Sequence, residues 1–128
     1  MDRASRSRMM SAIRSKNTKP ERLVRSALHR AGLRFALHGA SLPGKPDIVL
    51  PVRCAVILVH GCFWHRHANC SRAATPTTNR RFWQAKFAAN VKRDLVVRRG
   101  LRHLGWRVFV VWECQTSERR LATLARRI

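Results

Sequence analysis

The sequence predicts a mixed α/β domain: a small central sheet flanked by helices. Three observations predict it. Residues 53–60 and 106–112 are short, almost wholly apolar runs, as expected of strands buried on both faces. Residues 18–31 and 79–99 carry apolar side chains at helical spacing. The segments between are turn-rich, and the resulting order of helix, strands, helix, strand, helix is that of a layered α/β domain. A chain of 128 residues fits one such domain.

Taken in order, residues 1–17 are rich in Arg, Lys and Ser and read as a basic arm or a short helix. Thr18-Lys19-Pro20-Glu21 is a capping box with Pro in the first turn, so a helix starts there. Leu23, Val24, Ala27, Leu28 and Ala31 continue it and Gly32 ends it. Residues 33–37 read as a short strand, 41–46 as a loop and 47–50 as a second strand. The run 53–60 reads as the central strand, with Cys54 inside it as a small buried hydrophobe. Residues 61–78 read as loop. The helix at 79–99 has Phe82, Trp83, Phe87, Val91 and Leu95 as its apolar face and Gly100 as its stop. Strand 106–112 places Trp106 and Trp112 in or beside the core, and 117–128 is a basic amphipathic helix.

Charge narrows the function. Twenty-seven Lys and Arg against six Asp and Glu leave a formal +21, a field that attracts polyanions. Nucleic acid leads; an anionic membrane surface and an acidic protein are the competitors. The acids are informative because they are few. Asp2 and Glu118 read as incidental, which leaves Glu21, Asp47, Asp94 and Glu113 for places where chemistry needs negative charge. The first twenty residues lack the apolar stretch of a secretory signal. The longest apolar run, 54–59, is too short to span a bilayer. A cytoplasmic protein without a membrane partner is therefore expected, and in that reducing compartment Cys54, Cys62, Cys70 and Cys114 argue for a metal more than for disulfides.

Four constellations carry chemistry. Cys62, His67 and Cys70 have zinc-like spacing, and Cys114 can supply a fourth ligand from beyond the last strand, giving a closed structural site. Pro46-Asp47 at a strand start, with His60 one strand later, suits a Mg²⁺ carboxylate; a turn explains the dipeptide alone better, but the scarcity of acids and the His cluster that follows add weight to the metal reading. Lys86, Asn90 and Asp94 share one stripe of the long helix; it either lines a site or is a solvated face, and Asp94 is a candidate to orient a catalytic histidine. Phe63, Trp64 and Trp83 either stack on bases or form a small core under the loop, and Met9-Met10 in the arm either inserts into a groove or packs on the first helix.

The string His60-Gly61-Cys62-Phe63-Trp64-His65 resembles the very short patch repair (Vsr) endonucleases. Pro46-Asp47 upstream and Trp112-Glu113-Cys114 downstream strengthen the resemblance, as do Lys16-Asn17-Thr18-Lys19-Pro20-Glu21, Phe82-Trp83 and Gly105-Trp106-Arg107-Val108. It covers about residues 5–115. The resemblance implies a restriction-endonuclease-like single domain (18–128) behind a DNA-binding arm (1–17). It implies a monomer that nicks double-stranded DNA 5′ of the thymine in T:G mismatches left by deamination of 5-methylcytosine, with mismatch-repair proteins as possible partners. It implies catalytic Mg²⁺ on Asp47 and the Val59 carbonyl, His65 as proton-transfer group, His60 and Glu21 ordering water, and Asp94 supporting the histidines. It also implies structural Zn²⁺ on Cys62, His67, Cys70 and Cys114, and a DNA-intercalating wedge of Phe63, Trp64 and Trp83, with Met10 entering from the other groove. Two positions depart from the family pattern: Val59 stands where a Thr can occur, and one residue more separates His67 from Cys70. Two other classes fit parts of the pattern. A non-catalytic zinc-containing DNA-binding module leaves the acids without a role, and a nuclease for another DNA substrate leaves the wedge without one.

Overall fold

Helix α1 (Lys19–Arg30) begins at the capping box: Thr18 is extended and its hydroxyl accepts the Glu21 N–H at 3.5 Å. This computed structural model describes residues 18–128, so the arm expected at 1–17, with Met9 and Met10, lies outside the described residues. One face of α1 buries Glu21, Val24 and Leu28, and the helix closes at Ala31 before Gly32, whose φ is +76°. The first strand, β1 (Ala36–Leu37), is shorter than expected: Leu33 and Phe35 pack against the core without joining the ladder.

The sheet has order β1-β2-β3-β4, with β2 at Ile48–Leu50, β3 at Ala55–His60 and β4 at Arg107–Trp112. β1, β2 and β3 are antiparallel neighbours, while β4 lies parallel to β3 with Val56 opposite Val108 and His60 opposite Trp112. A parallel pair requires a crossover, and helix α3 (Arg80–His103) supplies most of it. Side-chain alternation then builds two cores. Ile48, Leu50, Ala55, Ile57 and Val111 meet Val24 and Leu28 of α1 and Leu121 and Ile128 at the C-terminal end, where helix α4 spans Glu118–Arg127. Val49, Val56 and Leu58 face the other way, onto Leu101 of α3. Leu28 and Ile57 are wholly buried, and each such side chain contributes about 1.5–3 kcal/mol.

Two expectations fail for local reasons. Cys54 is exposed and lies outside β3; it sits at φ +50° as the cap of the short 3-10 turn Pro51–Arg53 that joins β2 to β3. The hairpin needs a left-handed residue there, which apolar composition does not reveal. Gly100 does not end α3, which runs on to His103 because Leu101 is fully buried on the sheet. A Cβ on Gly100 would lie 3.6 Å from Pro43, an ordinary packing contact, so this position of the helix simply packs on the loop. Chain reversal comes at Gly105, φ +94°. The apolar face of α3 is also displaced from expectation. Phe82, Val91 and Leu95 are exposed; Val97 and Leu101 face the sheet and Phe87 faces Phe63, and those contacts set the buried side. Among the described residues no helix is long and apolar enough to cross a membrane.

The loop preceding β2 is pinned to α3 at Gly44. Its φ is +70°, and a Cβ there would fall 2.4 Å from Val97 Cγ1. Gly44→Ala is therefore expected to destabilise the chain by about 2–4 kcal/mol, from the positive φ and the overlap together. Urea unfolding checks it, and a midpoint equal to wild type would show that the loop yields freely.

Candidate active site

The C-terminal end of β3 and the start of β2 meet at one edge of the sheet. Asp47 directly precedes β2, and the Val59 N–H donates to its Oδ2 at 2.7 Å, tying the two strands together at their ends. α1, α3 and the one-turn helix α2 (Cys62–His65) close a cavity of about 1050 Å³ over this pair. Four of the chain's six acids line it: Glu21, Asp47, Asp94 and Glu113.

Each group has a distinct environment. Burial pushes the Asp47 carboxyl up to about 6, opposed by the Val59 N–H and reinforced by the nearby Glu21 carboxylate. Glu21 is buried and pairs with Arg25, one turn along α1, at 3.2 Å. Among the described residues Asp47 forms no ion pair with a cationic side chain. Two carboxylates gathered in a poorly hydrated corner of a strongly basic protein fit a hard cation on oxygen ligands.

His60 ends β3 and is buried; burial, then the neighbouring His65 imidazole, push it down to about 4, so it is neutral near pH 7. Its Nδ1 is buried without a hydrogen-bond partner among the described residues. The His60 and His65 rings stack at 3.9 Å between centroids and 5° between planes. His65 Nδ1 lies 2.6 Å from Asp94 Oδ2, the geometry by which a carboxylate fixes an imidazole tautomer. Asp94 reaches in from α3 on the stripe with Lys86 and Asn90. All three are half-buried, and Asn90 Nδ2 donates to the Trp64 carbonyl at 3.2 Å.

The segment expected as loop is thus a short helix held against α3. Phe63, Trp64 and Trp83 converge with Phe87, with Phe63–Trp64 centroids 5.0 Å apart and Phe63–Phe87 5.1 Å apart, both edge-to-face. They are half-buried rather than free in solvent, while Phe82 stands exposed beside them. Lys86 Nζ lies 5.3 Å over Trp64, and the Arg66 guanidinium 4.0 Å over Phe87.

Beyond α2, Cys62, His67, Cys70 and Cys114 bring one ligand atom each to within 4.8 Å of one another. Cys62 Sγ lies 3.6 Å from His67 Nδ1, Cys114 Sγ 3.3 Å from the same nitrogen, and Cys70 Sγ 4.0 Å from Cys114 Sγ. Edges of about 3.5–3.8 Å are what a tetrahedral zinc with nitrogen and sulfur ligands requires. Burial and the adjoining thiols push Cys62 up to about 12, and the Arg72 N–H lowers Cys70. Packed thiols fit a soft divalent cation. The extra residue between His67 and Cys70 does not prevent convergence.

The chain is similar to known proteins. Residues 1–72 match a family model described as DNA mismatch endonuclease Vsr. The chain is 49% identical over 110 residues to the type II nicking enzyme V.XorIIP of Xanthomonas oryzae pv. oryzae, covering 86% of this chain and 80% of that one. It is 43% identical over 122 residues to the DNA mismatch endonuclease Vsr of Escherichia coli K12, covering 95% and 78%. The chain belongs to the Vsr family of DNA mismatch endonucleases. As a Vsr-family member it is a nuclease that acts on DNA in mismatch repair, and the α/β domain expected from sequence is the one observed. The type II nicking enzyme V.NmeAIP of Neisseria meningitidis is 40% identical over 91% of the chain.

Within this pocket Asp47, Val59, His60, His65, Asp94 and Glu21 come together, and Cys62, His67, Cys70 and Cys114 form a neighbouring cluster. Met10 lies outside the described residues. Three features escape sequence reasoning: the Glu113 contact to α2, the stacking of Trp112 on His67 (4.2 Å, 12°), and Phe87 as the floor of the aromatic cluster. Only Glu113 leaves a trace in the sequence, as a scarce acid beside Cys114.

Proposed function

We propose that this chain is a strand-specific, Mg²⁺-dependent endonuclease that nicks 5′ of the thymine in T:G mismatches, in very short patch repair of deaminated 5-methylcytosine. The observation that carries the proposal is the convergence of the Asp47–Val59 pair and the His65–Asp94 pair on one cavity beside the aromatic cluster. The names of the relatives as mismatch endonuclease and nicking enzymes agree with it.

In this reading the Asp47 carboxylate and the Val59 carbonyl hold Mg²⁺, a role that needs no hydroxyl at position 59. When bound, the ion supplies Lewis-acid polarisation of a phosphate oxygen. The remaining work belongs to side chains. His65, its tautomer fixed by Asp94, takes the proton of the attacking water. His60, kept neutral by burial, and Glu21 order that water. Phe63, Trp64 and Trp83, with Met10 from the arm at 1–17, wedge into the stack where a mismatch weakens it. Cationic side chains hold the backbone through phosphate contacts. Zn²⁺ on Cys62, His67, Cys70 and Cys114 is structural. The enzyme works as a cytoplasmic monomer on double-stranded DNA, alongside mismatch-repair proteins.

The test is a set of end-labelled duplexes differing only at one pair, T:G, A:T or G:C, each with Mg²⁺ or EDTA. The expected product is a single nick 5′ of the mispaired T, in Mg²⁺ only. Equal cutting of all three duplexes would refute the mismatch assignment, and undiminished cutting in EDTA the metal assignment.

A further inference from the structure

Glu113 is the one acid lining the cavity to which the proposed chemistry gives no task. It directly follows β4, and its Oε1 accepts the N–H of Cys62, the first residue of α2, at 2.9 Å across 51 positions of sequence. The capping position of α2 is Gly61, which has no side chain to offer, and no local side chain caps this helix. Glu113 fills that place from another element, with an anion suited to the positive end of a helix. Its second oxygen lies 4.0 Å from Arg72 Nη1.

A single turn has no stability of its own, so the bearing of α2 is set by what grips it from outside. That bearing matters because α2 carries Phe63, Trp64 and His65 in succession. The Asn90–Trp64 bond grips its middle, and the His65–Asp94 contact holds one ring. Among the described residues only Glu113 holds its first backbone N–H, while the Cys62 side chain turns to the thiol cluster. The residues on either side of Glu113 go elsewhere: Trp112 stacks on His67, and Cys114 joins the thiol cluster.

We infer that Glu113 is a positioning residue for nicking: by accepting the Cys62 N–H from the end of β4, it sets the bearing of α2 and thereby of His65 against the phosphate. The inference rests on the role proposed above for His65. Nothing in it requires Glu113 to touch substrate or metal.

Glu113→Ala and Glu113→Gln separate the possibilities. The glutamine oxygen still accepts the Cys62 N–H; alanine accepts nothing. In single-turnover nicking of the T:G duplex, Glu113→Ala should slow the rate on the order of tenfold to a hundredfold, as a small misplacement of a reacting group does. Duplex affinity should stay within about threefold and the zinc content should be unchanged. Glu113→Gln should recover to within about fivefold of wild type. Amide exchange over residues 61–66 should accelerate in Glu113→Ala and not in Glu113→Gln. A wild-type rate in Glu113→Ala overturns the inference. So does a Glu113→Gln enzyme as slow as alanine, which would mean that the charge itself acts. Loss of zinc or of folding in Glu113→Ala also overturns it, by assigning Glu113 to the thiol cluster. If the wild-type chain does not nick the T:G duplex, the proposed function fails, yet the exchange experiment still decides whether Glu113 anchors α2.

Discussion

Asp47→Asn should give a chain that binds mismatched duplex, fails to nick it, and resists unfolding better than wild type. The loss of nicking is expected to be on the order of a thousandfold or more, because the amide removes the charge that would hold the cation while leaving the surrounding shape intact. The gain in stability follows from the raised ionisation. Asp47 goes from an ordinary 3.8 to about 6 in the folded chain. A group whose folded value lies above its unfolded one supports folding fully below the unfolded value, here about pH 4, and that support is lost as pH rises through about 6. Above pH 6 the native chain carries a desolvated anion that asparagine avoids. The ceiling on the difference is about 3 kcal/mol, and 1–3 kcal/mol is the expected range at pH 7.5 without divalent ions. The advantage of asparagine should shrink toward pH 4. It should shrink too when Mg²⁺ is added, since an ion bound only by the wild-type fold stabilises that fold. Thermal melts of both chains at pH 4, 6 and 7.5 check the sign. A less stable Asp47→Asn at pH 7.5 would mean that the carboxylate is satisfied without a cation.

Cys114→Ser should strip the metal and weaken the whole domain. The other three ligands lie within nine positions of one another, at 62, 67 and 70, whereas Cys114 arrives from the 3-10 turn Glu113–Gln115 after β4. As proposed, it is the ligand that would close the long loop, and a closing ligand converts metal affinity into folding free energy. Zinc content should fall from one per chain to none, and stability by on the order of 5 kcal/mol or more. EDTA at neutral pH should bring wild type to the same melting temperature as the variant. One zinc per chain and an unchanged melt in Cys114→Ser would show that Cys62, His67 and Cys70 suffice with another donor.

Much of this molecule is legible in its sequence where one local rule decides. Thr18 and Glu21 fix the start of α1, and the buried run fixes β3. Ser117, whose hydroxyl accepts the Arg120 N–H, opens the C-terminal helix as its amphipathic pattern suggests. The site is legible in composition because acids are so few. What resists reading depends on contacts made at a distance. Cys54 takes a turn conformation that apolar neighbours disguise. Gly100 looks like a stop, yet it is a seat for Pro43. The segment after His60 is a one-turn helix gripped by Glu113, Asn90 and Asp94 from two other elements, contacts that no local pattern announces. Phe63, Trp64 and Trp83 rest on Phe87 as a small core, one of the two roles that composition left open, and Phe63 and Trp64 also line the cavity.

The crowding of four acids into one cavity of so basic a chain has an electrostatic consequence. Lys19, Lys45, Lys86 and Arg93 line the same cavity, so its acids cancel the positive field there rather than reverse it, while the chain as a whole carries +21 and attracts a polyanion. Under the proposed function, grip and cut would therefore answer to different solutes: monovalent salt should loosen the grip by competing at the phosphates, while a divalent ion at Asp47 should restore positive potential at the bond to be cut. On the proposed function, cleavage would be metered by the supply of divalent ion, while binding would not.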